Sequence, residues 1–226
     1  MSYLIVYNRP WWEYLPKILE KNIGEKFYAI SDEAQLTETY IEKIKPNYIF
    51  FPHWSYLIPK NIYEKYDCVI FHMTDLPYGR GGSPLQNLIM RGLKRTKITA
   101  FKCVEKIDAG PVYLKETLSL EGNAQDIFVR STKIIEKMIY HIINNNPKPI
   151  DQQGEVTKFK RRNPSQGNWE KSKSLDEIYN YIRMLDAEGY PRSFIKIGNF
   201  KLKFSNAKHH KNSIKSLVEI IEENNE

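Results

Sequence analysis

Long hydrophobic runs are missing from this 226-residue chain. No stretch approaches the ~20 apolar residues needed to cross a bilayer, so no membrane-spanning helix and no membrane partner are expected. Cysteine is nearly absent. The two present, Cys68 and Cys103, each sit inside an apolar strand-like run. They read as reduced core residues of a cytoplasmic protein, not as a disulfide. The opening residues Met1-Ser2-Tyr3-Leu4-Ile5-Val6-Tyr7 have no basic segment and too short an apolar run for a signal peptide. There is no internal repeat and no G-x-G-x-x-G, so a nucleotide-type sheet here need not hold a dinucleotide. No metal is called for.

What is present is length enough for a good core and an excess of basic charge, +7. Such a balance suits nucleic acid, an anionic surface or an anionic small substrate, and equally a solvated basic surface. Lys158, Lys160, Arg161 and Arg162, followed by Lys171 and Lys173, stand out. The cluster is too short for a nucleic-acid stripe by itself, but it can hold one or two phosphates.

Apolar periodicity predicts strands at Tyr3–Tyr7, Lys26–Ile30, Tyr48–Phe51 and Cys68–Phe71, with helices over Trp12–Asn22 and Glu33–Lys45. Alternation of this kind predicts an α/β fold: a Rossmann-like, mostly parallel sheet with helices on both faces. Ligands bind such sheets beyond the carboxyl ends of their strands, where His53 and His72 fall. Ser83, Pro84 and Gln86 read as cap, first turn and return bond of a helix running to Arg91. Thr96–Lys106 and Val112–Leu120 are β-rich, and Asn123 caps a long helix from Ala124 to about Asn145. Pro147 and Pro149 mark a boundary. The expected division is a catalytic domain at 1–149 and a small C-terminal α+β extension at 150–226. Within the extension, Ser174 and Glu177 open a helix, Phe194–Ile197 and Phe200–Phe204 form a hairpin at Gly198-Asn199, and Lys211–Glu226 forms a final, fraying helix.

The chemistry concentrates between residues 70 and 111. A lone histidine after an apolar strand is more often a packed residue than a catalyst. His72, however, is followed by Leu76-Pro77, which turns the chain, and by Arg80-Gly81-Gly82, where backbone can approach a ligand. Asp108 precedes Ala109-Gly110 at a turn between two strands, a common place for aspartate. Together the two groups can make a proton-handling site.

Ile70-Phe71-His72-Met73-Thr74-Asp75-Leu76-Pro77-Tyr78-Gly79-Arg80-Gly81 resembles the N-x-H-x-S-x-L-P-x-x-R-G pattern of the folate-dependent formyltransferases, and Asp108-Ala109-Gly110 resembles their later D-x-G turn. That family includes glycinamide ribonucleotide, methionyl-tRNA and nucleotide-sugar enzymes, and the likeness spans about residues 48 to 145. It implies a formyltransferase using N10-formyltetrahydrofolate as co-substrate. His72 would stabilise the oxyanion formed when an amine attacks the formyl carbon, and Asp108 would orient His72 and help move the amine proton. The pterin would lie against main chain around Glu105, Lys106, Ile107 and Gly110, with Leu76, Arg80 and Gly81 also on the folate side. One departure stands out. The family's catalytic asparagine falls at residue 70, where this chain has Ile70, on the same strand face as His72. Thr74, Asn87 and His53 are the candidates to supply the missing polar group, each with an ordinary structural role as the alternative. A catalytically silent folate- or nucleotide-binding module is the remaining reading.

For the acceptor, Arg161-Arg162-Asn163-Pro164 resembles the R-R-x-P segment of sugar-nucleotide formyltransferases, and Tyr190-Pro191 their Y-P turn. Arginines clamp a diphosphate and an aromatic presents a flat face to a base or sugar, so Arg161, Arg162 and Tyr190 are the expected substrate-binding residues. The run from Phe71 to Ile89 resembles the short sugar enzymes of the pseudaminic-acid type and the formylation domains of peptide synthetases. The expected substrate is therefore a small-molecule amino dideoxy sugar, nucleotide-linked, in surface glycan biosynthesis. The family's tRNA enzymes carry a longer C-terminal barrel than residues 150–226 provide, which argues against nucleic acid as a partner. An aminoacyl group on tRNA or on a carrier protein is the alternative acceptor. The apolar C-terminal strands are compatible with a homodimer.

Overall fold

The computed structural model describes residues 1–223. The first part of the chain alternates strand and helix: β1 (Ser2–Tyr7), α1 (Leu15–Ile23), β2 (Lys26–Ile30), α2 (Glu38–Ile44), β3 (Tyr48–His53), α3 (Lys60–Tyr63) and β4 (Cys68–His72). Then come β5 (Arg80–Gly81), α4 (Pro84–Met90), β6 (Arg95–Lys102), β7 (Val112–Ser119), α5 (Ala124–Asn145) and β8 (Lys158–Phe159). The chain continues with α6 (Leu175–Leu185), β9 (Ser193–Ile197), β10 (Phe200–His210) and β11 (Ser213–Glu222).

Six strands form one sheet in the order β2-β1-β3-β4-β6-β7. β1 pairs in parallel with β2 and β3, and β3 with β4, while β6 runs antiparallel to β4. The result is the Rossmann-like sheet expected, mixed on one side of β4, with helices on both faces. Its central strands are apolar at nearly every position because both faces are covered: Leu4, Ile5, Val6, Ile49, Phe50 and Phe51 are fully buried. Cys68 and Cys103 are free thiols in this core. Burial pushes the Cys68 thiol up, and the Cys103 thiol up to about 12. Among the described residues no helix is long and apolar enough to cross a membrane.

The chain forms two compact units that interleave along the sequence. One comprises 1–81, 96–118 and 129–158; the other comprises 82–95, 119–128 and 159–226, of which the structure describes residues up to 223. The expected division placed a single boundary at residue 149. In the second unit α6 accompanies the three-stranded sheet β11-β10-β9, the small α+β part expected. Its hairpin turns at Gly198-Asn199, with Phe200 opposite Ile197.

Several local expectations need correction. Residues 33–45 do not form one helix. Glu33–Gln35 is a 3-10 turn, and α2 starts afresh because the Thr37 hydroxyl accepts from Tyr40 N–H at 3.2 Å. Ser83 does not cap α4 with its side chain. It is left-handed (φ 51°), its Oγ accepts from Arg162 N–H at 3.0 Å, and the Gln86 amide donates to the Met184 carbonyl at 3.1 Å. Ser174 does cap α6, but Glu177 takes Lys173 N–H, not that of Ser174. The final helix is absent: Ser213–Glu222 is a strand paired along β10 from Glu222–Phe200 to Ser213–His210. Its apolar residues satisfy either period, and the β-branched content together with a free neighbouring strand decides for β. The part of that expectation covering residues 224–226 lies outside the described residues.

Candidate active site

Strand β4 ends in His72, and the loop after it folds back so that His72 Nε2 lies 2.8 Å from the Gly79 carbonyl oxygen. A carbonyl only accepts, so this nitrogen carries the proton. The other ring nitrogen, Nδ1, faces Asp108 Oδ2 at 3.8 Å. Both side chains are nearly buried, 9% and 13% exposed, so water screens their interaction weakly. His72 and Asp108, 36 residues apart by number (108 − 72), are thus brought together as expected from the sequence.

Asp108 is itself held. Its backbone is left-handed (φ 51°) and its Oδ2 accepts from Gly81 N–H at 2.8 Å. A residue that the sequence reading missed secures the turn. Gln152 Nε2 donates to the carbonyls of Asp108 and Gly110 at 2.9 and 2.8 Å, and its Oε1 accepts from Arg80 Nε and Nη2 at 3.1 and 2.7 Å. One amide therefore ties the Arg80 loop to the Asp108 turn. Gln152 arrives there because Ile150 and Val112 exchange backbone hydrogen bonds of 2.7 and 2.9 Å. Arg80 is buried, and its N–H is bonded to Thr157 O at 2.9 Å. Gln152→Leu keeps the volume but leaves a buried guanidinium without this acceptor. The expected cost is ~2–4 kcal/mol, read in urea denaturation; an unchanged midpoint would refute the assignment.

Gly110 packs against the preceding strand so closely that a Cβ there would lie 1.8 Å from the Lys102 carbonyl oxygen. Glu105, Lys106 and Ile107 are exposed on the loop between β6 and β7, where the Lys106 carbonyl accepts from Ala109 N–H at 3.2 Å. Leu76 is fully buried, and its N–H donates to the Thr99 hydroxyl at 3.3 Å, so it offers a ligand no surface of its own and the folate contact expected there is not formed by it. Lys115 Nζ bonds Asp75 and the Leu76 carbonyl. Burial alone would raise the Asp75 carboxyl, but Lys115 and Lys97 outweigh it and hold the group below its ordinary range.

The candidates to replace the missing asparagine are otherwise engaged or differently placed. Ile70 packs into the apolar cluster with Cys68, Phe51 and Cys103. Thr74 is fully buried and its hydroxyl donates to Gly79 O at 3.4 Å. Asn87 donates to the carbonyls of Gly82, Ser83 and Lys160. His53 ends β3, edge-on to Trp11 with ring centroids 5.8 Å apart. Burial, then Arg9, lower its imidazole from 6.5 to about 4. Between pH 6.5 and 4 the unfolded chain thus binds more protons than the folded one, and stability drains away as pH falls through that window. Denaturation midpoints are expected to lose part of this acid sensitivity in His53→Gln, and parallel profiles for variant and native chain would count against it.

Asn87, Arg161, Arg162 and Tyr190 belong to the second unit. Arg161 is exposed, its backbone lying under Gly82, where a Cβ would meet Arg161 Cβ at 2.5 Å. Arg162 turns its guanidinium onto the Gln166 carbonyl at 2.5 Å. Tyr190 stacks on Phe128 with centroids 5.3 Å apart.

Residues 164–221 match the profile of the methionyl-tRNA formyltransferase C-terminal domain. A methionyl-tRNA formyltransferase from Clostridium thermocellum superposes with TM-score 0.95 and 47% identity, covering 98% of this chain and 99% of that one. The methionyl-tRNA formyltransferase of Bacillus velezensis is 31% identical over 172 residues, 70% of this chain and 54% of its own. The chain spans about half the length of the curated relatives it matches. A sugar N-formyltransferase from Shewanella shares the fold alone, at 12% identity and TM-score 0.65 over 96% of each chain. This chain belongs to the folate-dependent formyltransferase family.

These likenesses overturn two expectations. An amino-sugar acceptor of the pseudaminic-acid type, with its place in glycan biosynthesis, is not supported, and neither is the exclusion of nucleic acid as a partner. The motif at 70–84 resembles a pattern shared by family members with different acceptors and so does not choose among them. The shortness of residues 150–226 does not exclude tRNA, because residues 164–221 match the tRNA enzymes' C-terminal domain.

Proposed function

We propose that this chain transfers a formyl group from N10-formyltetrahydrofolate to the amino group of methionyl-tRNA. The observation that carries the reading is the 47% identity to the Clostridium thermocellum enzyme over essentially the whole of both chains. The match at residues 164–221 and the net charge of +7 favour the same acceptor, since a basic protein is drawn to a polyanion.

The residues divide the chemistry as follows. The attacking amine must be neutral, and in the transfer a carbon–nitrogen bond forms to the formyl carbon while the bond from that carbon to N10 breaks. The amine loses a proton and N10 gains one. With Nε2–H fixed on Gly79, His72 Nδ1 is the nitrogen able to take up a proton, and Asp108 Oδ2 beside it stabilises the resulting imidazolium. Asp108 is kept aimed by Gly81 N–H and by Gln152. The folate ring would lie against the exposed loop at Glu105–Ile107, with Gly110 keeping the turn tight.

The test is formylation of methionyl-tRNA by the purified chain with N10-formyltetrahydrofolate, with charged tRNA bearing a different amino acid beside it. Turnover specific to methionyl-tRNA is the expected result. Folate binding without turnover on any aminoacyl-tRNA would instead favour a module silenced at Ile70.

A further inference from the structure

A second cluster lies beside the site and plays no part in the chemistry above. Arg9 and Trp11 follow β1, and His53 ends β3. The sheet order reverses at this place, because β2 lies on one side of β1 and β3 on the other. Open α/β sheets hold ligands in the crevice at such a reversal. The neighbouring strand to β3 is β4, paired with it from Ile49–Cys68 to Phe51–Ile70, and each strand runs two residues further, to His53 and His72. Adjacent strands lie ~4.8 Å apart, so the cluster is one strand away from His72.

Its chemistry is specific. The Arg9 guanidinium carbon is 6.0 Å from the centre of the Trp11 ring, and the His53 ring meets Trp11 edge-on at 5.8 Å. All three are half-buried, reachable yet ordered by packing. Asn8, next in line, has a buried Oδ1 that accepts no hydrogen bond among the described residues. A flat aromatic face beside a guanidinium is how single-stranded nucleic acid is held: the base stacks and the phosphate pairs with the cation. An uncharged imidazole, as burial and Arg9 keep His53, leaves Arg9 the positive group of the cluster. In an aminoacyl ester the reacting amine is only a few covalent bonds from the terminal ribose, so the terminal nucleotide must lie close to the group that handles the amine proton.

We propose that Arg9, Trp11 and His53 form the subsite for the terminal nucleotide of the acceptor strand, with the base against Trp11 and its phosphate against Arg9. The assignment rests on the methionyl-tRNA reading and deepens it. Asn8 Oδ1 is placed to accept from a base amine or a ribose hydroxyl.

The experiment compares the native chain with Trp11→Ala, Trp11→Phe and Arg9→Gln, each checked for an unchanged thermal midpoint. KM for methionyl-tRNA, KM for N10-formyltetrahydrofolate and kcat are measured for each. Trp11→Ala is expected to raise KM for methionyl-tRNA about tenfold, with little change in the folate KM, and Trp11→Phe to recover most of the loss. Arg9→Gln should weaken the acceptor and flatten its salt dependence. If the native chain formylates methionyl-tRNA but neither Trp11→Ala nor Arg9→Gln alters its KM, the subsite is wrong while the function stands. An equal penalty on methionine amide, which has no nucleotide, would also overturn it, in favour of contact with the amino-acid side chain. A native chain that formylates no tRNA removes the functional reading and the subsite together.

Discussion

His72→Ala is expected to lower turnover roughly a hundred- to ten-thousand-fold, the range that a positioned proton-transfer group contributes, while the protein stays folded. The side chain makes one hydrogen bond, Nε2 to Gly79 O at 2.8 Å, whose net worth to stability is ~1 kcal/mol. The effect on rate should thus far exceed the effect on folding. Asp108→Asn is the partner experiment. Asparagine can still accept from Gly81 N–H through its oxygen, so the turn survives, but the charge facing Nδ1 is gone. A deep loss of kcat in both variants, with melting temperatures near the native value, assigns the chemistry to this pair. A His72→Ala enzyme within threefold of native activity would remove it from the mechanism.

Gly110→Ala should be strongly destabilising for the addition of a single methyl group. The added Cβ would sit 1.8 Å from the Lys102 carbonyl oxygen, far inside any allowed contact. No side chain can swing away, because the obstacle is backbone. That backbone is held in register by Lys102 N–H bonded to Pro111 O at 2.9 Å. The turn must move outward, and the Gln152 bond to Gly110 O goes with it, loosening Arg80 in turn. A loss of ~3 kcal/mol or more follows from overpacking plus a broken polar network. For a chain of this size that is a drop in melting temperature of roughly 6–12 °C. Calorimetry checks it, and a midpoint within two degrees of native, on the order of measurement scatter, would show that the strand and turn are less tightly joined than described.

The candidate site was legible in the sequence where its signal was local. His72, Leu76, Arg80 and Gly81 fall within ten positions, and a strand end, a turn and a glycine-rich loop announce themselves by composition. Asp108 and Gly110 came with a second short motif. Gln152 gave no such signal. It lies in a polar stretch between Pro149 and the basic cluster, and only the backbone bridge between Val112 and Ile150 carries it to the turn. Strands β1, β3 and β4 were readable because sheets covered on both faces demand unbroken apolar runs, and the edge strand β2 by a short apolar run in which Phe27 and Ile30 are buried. The same logic failed at β11. Its residues are mostly exposed, so burial imposed no clear period, and Ile214, Leu217, Val218 and Ile221 suited a helix as well as a strand. Ser83 and Gln86 have the composition of a capping box, yet their side chains are spent on Arg162 and Met184. Those partners are 79 and 98 positions away, and no local pattern reports them. The acceptor could not be read from the same signal, because the formyl-transfer motif resembles a pattern shared by enzymes with different acceptors.

The interleaving of the two compact units bears on how the protein can be made and how it can change. Segments 82–95 and 119–128 belong with 159–226, and bonds such as Gln86 to Met184 close only after the later segment exists. On the ribosome the early segments, joined to each other by Leu120 N–H on Lys94 O at 2.9 Å, are therefore made before the segment that completes their unit. For the same reason the later unit cannot be grafted onto another protein by cutting once: a transplant of 159–226 alone would leave behind the two short segments against which it closes.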